Sequence, residues 1–160
     1  MNKSLMIFDD LDQLKPTVQA NRRIMGLDVG SKTIGLALSD VTHMIATPLE
    51  TIKRTRFLKD LEHLKQIIHE HEVGALIIGM PMNMDGTEGP RCQSTRQFAA
   101  NVSQAIDLPI GFWDERLSTV AVERVLVEDV DMTRKRRGEV IDKAAAAYIL
   151  QGALDFLKGH

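Results

Sequence analysis

The 160-residue chain predicts an α/β fold, a mixed sheet with helices on both faces. Three observations carry this. In the body of the chain three strand-like runs precede any helix. The later strand candidates alternate with helical segments. One of them, Val73 to Gly79, is apolar and glycine-bounded, as a strand covered on both faces must be.

Residues 1–20 read as an N-terminal extension, and residues 21–160 as a single domain. Ile7, Phe8, Leu11 and Leu14 have helical spacing, so a short docked helix is expected, ended by Pro16. Arg23 to Val29 and Thr33 to Ser39 are strand candidates joined by Gly30-Ser31-Lys32. So tight a link predicts an antiparallel hairpin. Ala46 to Lys53 is a third strand, and Pro48 places it at an edge or gives it a late start. Phe57, Leu61, Leu64, Ile67 and Ile68 recur at helical spacing among Lys, Glu and His, the pattern of an amphipathic helix. Val73 to Gly79 follows as the buried strand, then a loop rich in Pro, Asn, Asp and Gly from Met80 to Pro90. Gln93 to Ile106 reads as helix, and Leu108 to Trp113 as a strand opened by Pro109. Ser118 or Thr119 can N-cap a helix bearing Val122, Val125 and Leu126. Thr133 to Gly138 reads as a basic loop. The last helix is expected from about Val140 to Leu157, with Ala145, Ile149, Gly152 and Phe156 as its inner stripe.

Composition narrows the function. A hydrophobic fraction of 44% supports a sizeable core, and a formal net charge of −2 excludes a simple polycation that coats nucleic acid while leaving a local basic patch open. The one cysteine, Cys92, forms no internal disulfide and suits a reducing cytosol. The N-terminus lacks the features of a signal peptide, and no run approaches the ~20 apolar residues that span a bilayer. The expectation is a soluble, cytoplasmic protein without a membrane partner.

Carboxylates stand in three separated segments: Gly26-Leu27-Asp28-Val29-Gly30-Ser31, Trp113-Asp114-Glu115-Arg116, and Val140-Ile141-Asp142-Lys143. Asp28 ends a strand beside a glycine that allows close approach of a phosphate, or it is a turn aspartate capping its own loop. Successive strand residues point to opposite faces, so only one of Asp114 and Glu115 can join Asp28. We select Glu115; the alternative is an acidic pair capping the following helix. Arg116 would then screen charge or grip a phosphate. Asp142 reads either as a first-turn acid stabilised by the helix dipole or as the third member of a site, since Ala144 to Ala147 would let that helix end approach the sheet. Gathering such acids is costly unless cations neutralise them. Together they suit Mg²⁺ or Mn²⁺, hard ions that take oxygen ligands and activate water for phosphodiester hydrolysis.

The other segments are less specific. The glycines of the Met80–Pro90 loop could set a helix N-terminus near phosphate, or the loop is a connector. Arg134, Lys135, Arg136 and Arg137 could contact backbone phosphates, or form a solvated charge run. His69 and His71 are two apart on a helix and do not face each other, which argues against a zinc site. Cys92 has no neighbouring His or Cys in sequence. Met80, Met82 and Met84 could form an apolar contact surface or be incidental.

From about Arg22 to Leu157 the chain resembles the YqgF (RuvX) family, also described as Holliday-junction-resolvase-like or pre-16S rRNA nucleases. The resemblance rests on Gly26-Leu27-Asp28-Val29-Gly30-Ser31-Lys32-Thr33-Ile34-Gly35-Leu36-Ala37, Gly79-Met80-Pro81 with Gly86 and Gly89, Asp114-Glu115-Arg116-Leu117-Ser118-Thr119, and Asp142-Lys143-Ala144-Ala145-Ala146-Ala147-Tyr148-Ile149-Leu150. It implies an RNase H-like fold with a five-stranded mixed sheet, the first three strands antiparallel. It implies a nuclease that trims the 5′ end of precursor 16S rRNA, with Asp28, Glu115 and Asp142 as catalytic metal ligands. In a nuclease of this kind Lys32, Arg116 and the basic segment Arg134 to Arg137 would hold phosphates. Sites of this kind often use a fourth acid; only Asp114 is a candidate here. Two further readings stand beside it: a resolvase of four-way DNA junctions, and a non-catalytic nucleic-acid-binding module. Asp-Val-Gly-Ser-Lys-Thr-Ile-Gly also looks like the first phosphate motif of actin-like ATPases and sugar kinases, which need a second domain that 160 residues leave little room for.

Overall fold

The computed structural model of the protein describes residues 6–117 and 134–159. The elements in order are β1 (Ile7–Phe8), α1 (Leu11–Leu14) running into a 3₁₀ turn (Lys15–Thr17), β2 (Arg23–Val29), β3 (Thr33–Ser39), β4 (Ala46–Lys53), α2 (Phe57–Glu70), β5 (Val73–Met80), α3 (Pro90–Ala105), β6 (Ile110–Asp114) with a 3₁₀ turn (Glu115–Leu117), and α4 (Arg134–Lys158). The helix expected after Ser118 or Thr119 lies outside the described residues.

The sheet has six strands in the order β1-β6-β5-β2-β3-β4. β2, β3 and β4 form the expected antiparallel meander, while β5, β6 and β1 add in parallel. The expected five-stranded sheet is corrected to six. Ile7 and Phe8 are a strand on the edge of β6, not the start of a helix. Asp10 explains why: its backbone is extended and its side chain accepts from the Asp12 N–H, so it caps α1 and no helix can begin earlier. The chain before it is free to pair with β6, an edge that would otherwise expose its polar backbone. At the opposite edge β4 carries Pro48, and the β3–β4 register shifts between Leu36 and Ala37, whose partners are Glu50 and Pro48. A proline lacking its N–H is accommodated there by the irregularity.

Strand alternation sorts the core into two layers. Met25 and Leu27 of β2, Ile34, Leu36 and Leu38 of β3, and Leu76 and Ile78 of β5 pack against α2 and α3. Ile24, Ala37, Ala75 and Ile77 point the other way, against α4 and α1. α4 begins at Arg134, six residues before the expected start, and the presumed basic loop is its first turns. Arg and Lys are good helix formers, and one glycine costs a helix only about 1 kcal/mol, so Gly138 does not stop it. The inner stripe also differs. Ala146, Ile149, Leu150, Ala153 and Leu154 are buried; Ala145, Gly152 and Phe156 are only half-buried.

Glycines on β2 and β3 explain that rotation. A Cβ at Gly26 would stand 2.7 Å from Leu150 Cβ and 2.9 Å from the Ala146 carbonyl oxygen. At Gly35 it would stand 2.0 Å from the carbonyl oxygen of Asp142. The helix therefore lies with its backbone directly on the strands, an approach only hydrogen permits.

Gly35→Ala is expected to destabilise the protein by about 1–3 kcal/mol, because helix and sheet must separate. Gly138→Ala, where a Cβ meets nothing within 4 Å, is expected to stabilise it by about 0.5–1 kcal/mol. Denaturant unfolding of the two variants checks the contrast; equal effects would refute the close approach.

Candidate active site

Because β2, β5 and β6 run parallel, their carboxyl ends lie at one edge of the sheet, where open α/β sheets place ligands. Asp28 is next to last in β2, on the same side as Ile24 and Gly26, the α4 side. On β6, Gly111 meets Leu11 and Leu14, and Trp113 packs on the α4 layer. Glu115 continues that alternation just past the strand end, and its carboxyl group hydrogen-bonds that of Asp28. Gly79 of β5 lies between them in the sheet order, and a Cβ there would stand 3.6 Å from Glu115 Cδ. Asp142 is carried in by α4 over Gly35, which is the register partner of Asp28. Its Oδ2 accepts from Thr33 Oγ1 at 2.7 Å.

The structure thus brings Asp28, Glu115 and Asp142 into one electrostatic neighbourhood. Burial, then the charge and hydrogen bond of Glu115, then the charge of Asp142 push the Asp28 carboxyl up to about 8; the positive charge of Arg91 opposes them. The Asp28 carboxyl, hydrogen-bonded to Glu115, therefore resists ionisation up to about neutrality. The dipole explanation for Asp142 falls away: α4 starts at Arg134, so Asp142 is in its third turn, beyond the reach of the helix end.

Asp114 goes elsewhere. Its Oδ1 accepts from the backbone N–H and Nε of Arg116, both at 3.0 Å, and its Oδ2 accepts from Nε at 2.9 Å and from Nη2. The same guanidinium donates to the carbonyls of Asn83 and Met84. Arg116 holds Asp114 below the ordinary carboxylate range. Arg116 was expected to screen charge or grip phosphate; in this structure it screens Asp114 and ties the Met80–Pro90 loop to the turn that carries Glu115. That loop is internally bonded: Asn83 N–H donates to the Thr87 carbonyl and Gly86 N–H to that of Asn83, each at 2.9 Å. Its methionines form no common surface, since Met80 is buried, Met82 half-buried and Met84 exposed.

Lys32 is exposed in the β2–β3 turn, and its carbonyl accepts from Arg54 N–H. The side chains of Arg134, Lys135, Arg136 and Arg137 lie outside the described residues. Two arginines were not singled out from sequence. Arg54 donates through Nη1 to the Gly30 carbonyl at 2.7 Å and lies over the Phe98 ring. Arg91 stands at the second position of α3. The signal for Arg91 was available: the positive end of a helix disfavours a cation in its first turn, so one there needs a reason. Cys92 is buried and donates to the Pro81 carbonyl.

All the acids offer oxygen, the donor preferred by Mg²⁺ and Mn²⁺. The Asp28–Glu115 contact fits such an ion, because a cation there would offset both the burial of Asp28 and the charge of Glu115 that raise its carboxyl. Asp142 is turned to Thr33, and among the described residues no three His, Cys, Asp or Glu side chains are grouped as a complete metal cage.

The sequence profile of a family named RuvX and described as Holliday junction resolvase matches residues 22–156. The chain belongs to the RuvX family. It is 57% identical over 147 residues to a protein of Paramagnetospirillum magneticum, covering 92% of this chain and 94% of the relative. It is 56% identical over 155 residues to one of Roseobacter denitrificans, covering 96% and 94%. Both bear the name "Putative pre-16S rRNA nuclease". Among solved structures, Thermus thermophilus RuvC in complex with a Holliday junction substrate superposes with a TM-score of 0.54 at 15% identity, over 86% of this chain and 96% of that one. This RuvX-family chain therefore has an RNase H-like fold with six strands. No helix among its described residues is long and apolar enough to cross a membrane.

The raised Asp28 carboxyl has a consequence for stability. Between its ordinary 3.8 and about 8 the unfolded chain loses a proton that the folded chain keeps, so stability falls as pH rises through that window. Asp28→Asn can donate its amide to Glu115 and does not ionise. Without divalent cations, its Tm is expected to exceed that of the unsubstituted protein at pH 8 and to lose that advantage toward pH 4. Thermal melts in EDTA across this range check it; parallel curves would contradict a raised Asp28 carboxyl.

Proposed function

We propose that this protein is a divalent-metal-dependent endonuclease that hydrolyses phosphodiester bonds in precursor 16S rRNA, acting in 5′-end maturation in the bacterial cytoplasm. The observation that carries the reading is the Asp28–Glu115 contact at the carboxyl ends of β2 and β6, with Asp142 facing it from α4. A fold that only bound RNA would gain nothing from desolvated acids in contact, which repel each other and the ligand's phosphates. The names borne by the relatives point to the RNA substrate. Residues 21–160 form the nuclease domain in this reading, with 1–20 as its extension.

Asp28 and Glu115 would hold Mg²⁺ or Mn²⁺, with Asp142 completing the set. Such an ion lowers the pKa of a bound water and draws charge from the phosphate. The chain's own residues do the rest. Thr33 fixes Asp142 so that its carboxylate can orient the attacking water. The water oxygen bonds to phosphorus, the P–O bond to the leaving sugar oxygen breaks, and a proton passes from the water to solvent while the leaving oxygen takes one up. Arg116 acts as a positioning residue, since its bonds to Asp114 and to the Met80–Pro90 loop set the turn from which Glu115 projects. Lys32 and the basic start of α4, Arg134, Lys135, Arg136 and Arg137, are placed in this reading on backbone phosphates. The family description keeps branched DNA as a second substrate.

Cleavage of an RNA spanning the 5′ end of the precursor is expected to require Mg²⁺ or Mn²⁺ and to fall roughly 10²–10⁴-fold in Asp28→Asn. A four-way DNA junction assayed in parallel decides between substrates. Full activity of the purified variant on either would remove these acids from the mechanism.

A further inference from the structure

Beside the acid pair runs a groove of about 510 Å³ between the β2–β3 turn, the end of β4 and the first turns of α3. Val29, Gly30 and Ser31, which line it, follow Asp28 directly in the chain. Two guanidinium groups face in, Arg54 and Arg91, with Ser31 and Ser94 offering hydroxyls. Among the described residues no carboxylate lines the groove. Arg54 is fixed by its bond to the Gly30 carbonyl and by the Phe98 ring beneath it. Arg91 differs from the other arginines near the site. Arg96 is paired with Glu88 and Asp9, and Arg116 with Asp114, whereas Arg91 makes no hydrogen bond or ion pair within the described residues. It stands where the helix end already repels a cation, and within the described residues it acts on Asp28 by charge without a direct bond. Two cations in a groove that no carboxylate of the described residues lines form a cradle for an anion, and a guanidinium fork matches phosphate geometry.

We propose that the Arg54–Arg91 groove binds a backbone phosphate of the strand being cut, flanking the scissile one, and so sets which bond lies over Asp28. The proposal rests on the nuclease reading, since it assigns the substrate's path away from that site. Arg91 supplies the exchangeable contact, and Arg54 holds the Gly30 turn as the opposite wall. The strand would leave the acids along the β2–β3 turn and pass the start of α3. Lys32, on the same turn, would lie along that path.

The test uses the full chain and a fluorescent synthetic RNA spanning the precursor 5′ end. Affinity is measured against salt in Asp28→Asn with and without Arg91→Gln, and cleavage with Arg91 intact or replaced. Arg91→Gln is expected to bind roughly ten-fold more weakly, with the salt slope reduced by about 0.7, one phosphate contact to a single strand. Arg91→Lys should recover part of the affinity. Single methylphosphonate substitutions, which remove one phosphate charge at a time, should reveal one position that slows the Arg91 protein but not Arg91→Gln. Lys65→Gln, at the far end of the sheet, is the control and should change neither slope nor rate. Arg91 makes no direct bond within the described residues but acts on Asp28 by charge, so in the Asp28→Asn background, where that charge has no carboxylate to act on, its removal should leave the Tm unchanged. If Arg91→Gln keeps affinity and slope while the parent protein cleaves, the groove assignment fails alone. If the parent protein neither binds nor cleaves the RNA, the nuclease reading fails and takes this assignment with it.

Discussion

Two carboxyl groups in contact, poorly hydrated, and near a third are unfavourable in an isolated protein. Asp28 meets Glu115 at the edge of the sheet, and burial together with like charge drives its proton affinity up. The remaining architecture holds that arrangement against its own repulsion. β2 and β6 supply the two acids from strands separated only by β5. Strand alternation turns both to the α4 side. The hydrogens of Gly26 and Gly35 let α4 lie on the sheet closely enough to bring Asp142 alongside. In the proposed nuclease reading a bound cation would relieve desolvation and repulsion together.

Asp114 and Glu115 are adjacent in the chain but differ in environment. Asp114 points to the other side and is neutralised by Arg116, which also reaches the carbonyls of Asn83 and Met84. Glu115 faces Asp28 and hydrogen-bonds it. The bond between Asp114 and Arg116 makes the difference possible. It fixes the backbone turn after β6, and Arg116 ties that turn to the Met80–Pro90 loop. The short edge strand β1 and helix α1 support the same region from behind, with Leu11 and Leu14 packed over Gly111.

Much of this was legible in sequence, and the reason is periodicity. The β2–β3 hairpin, the edge position of the strand with Pro48, the amphipathic α2 and the buried β5 each carry a local pattern that burial and backbone bonding enforce. The choice of Glu115 over Asp114 followed from the two-residue repeat of a strand, and the repeat holds one residue past the strand end. Ile7 and Phe8 misled because four apolar residues at helical spacing do not reveal that Asp10 caps the helix after them. The start of α4 misled because a basic run containing a glycine looks like a loop, although its residues tolerate helix. Arg54 and Arg91 escaped notice because a single arginine has no period; only its neighbours in space show what it faces.

The sequence alone determined the family and the order of the central elements, since both are properties of residues read along the chain. Tertiary structure decided which carboxyl groups touch, which arginine is consumed by an acid and which stands without an intramolecular partner among the described residues. Those outcomes depend on distances across the sheet, between residues as far apart in the chain as Thr33 and Asp142. Electrostatic energy varies with separation and burial, and neither quantity is written in local order.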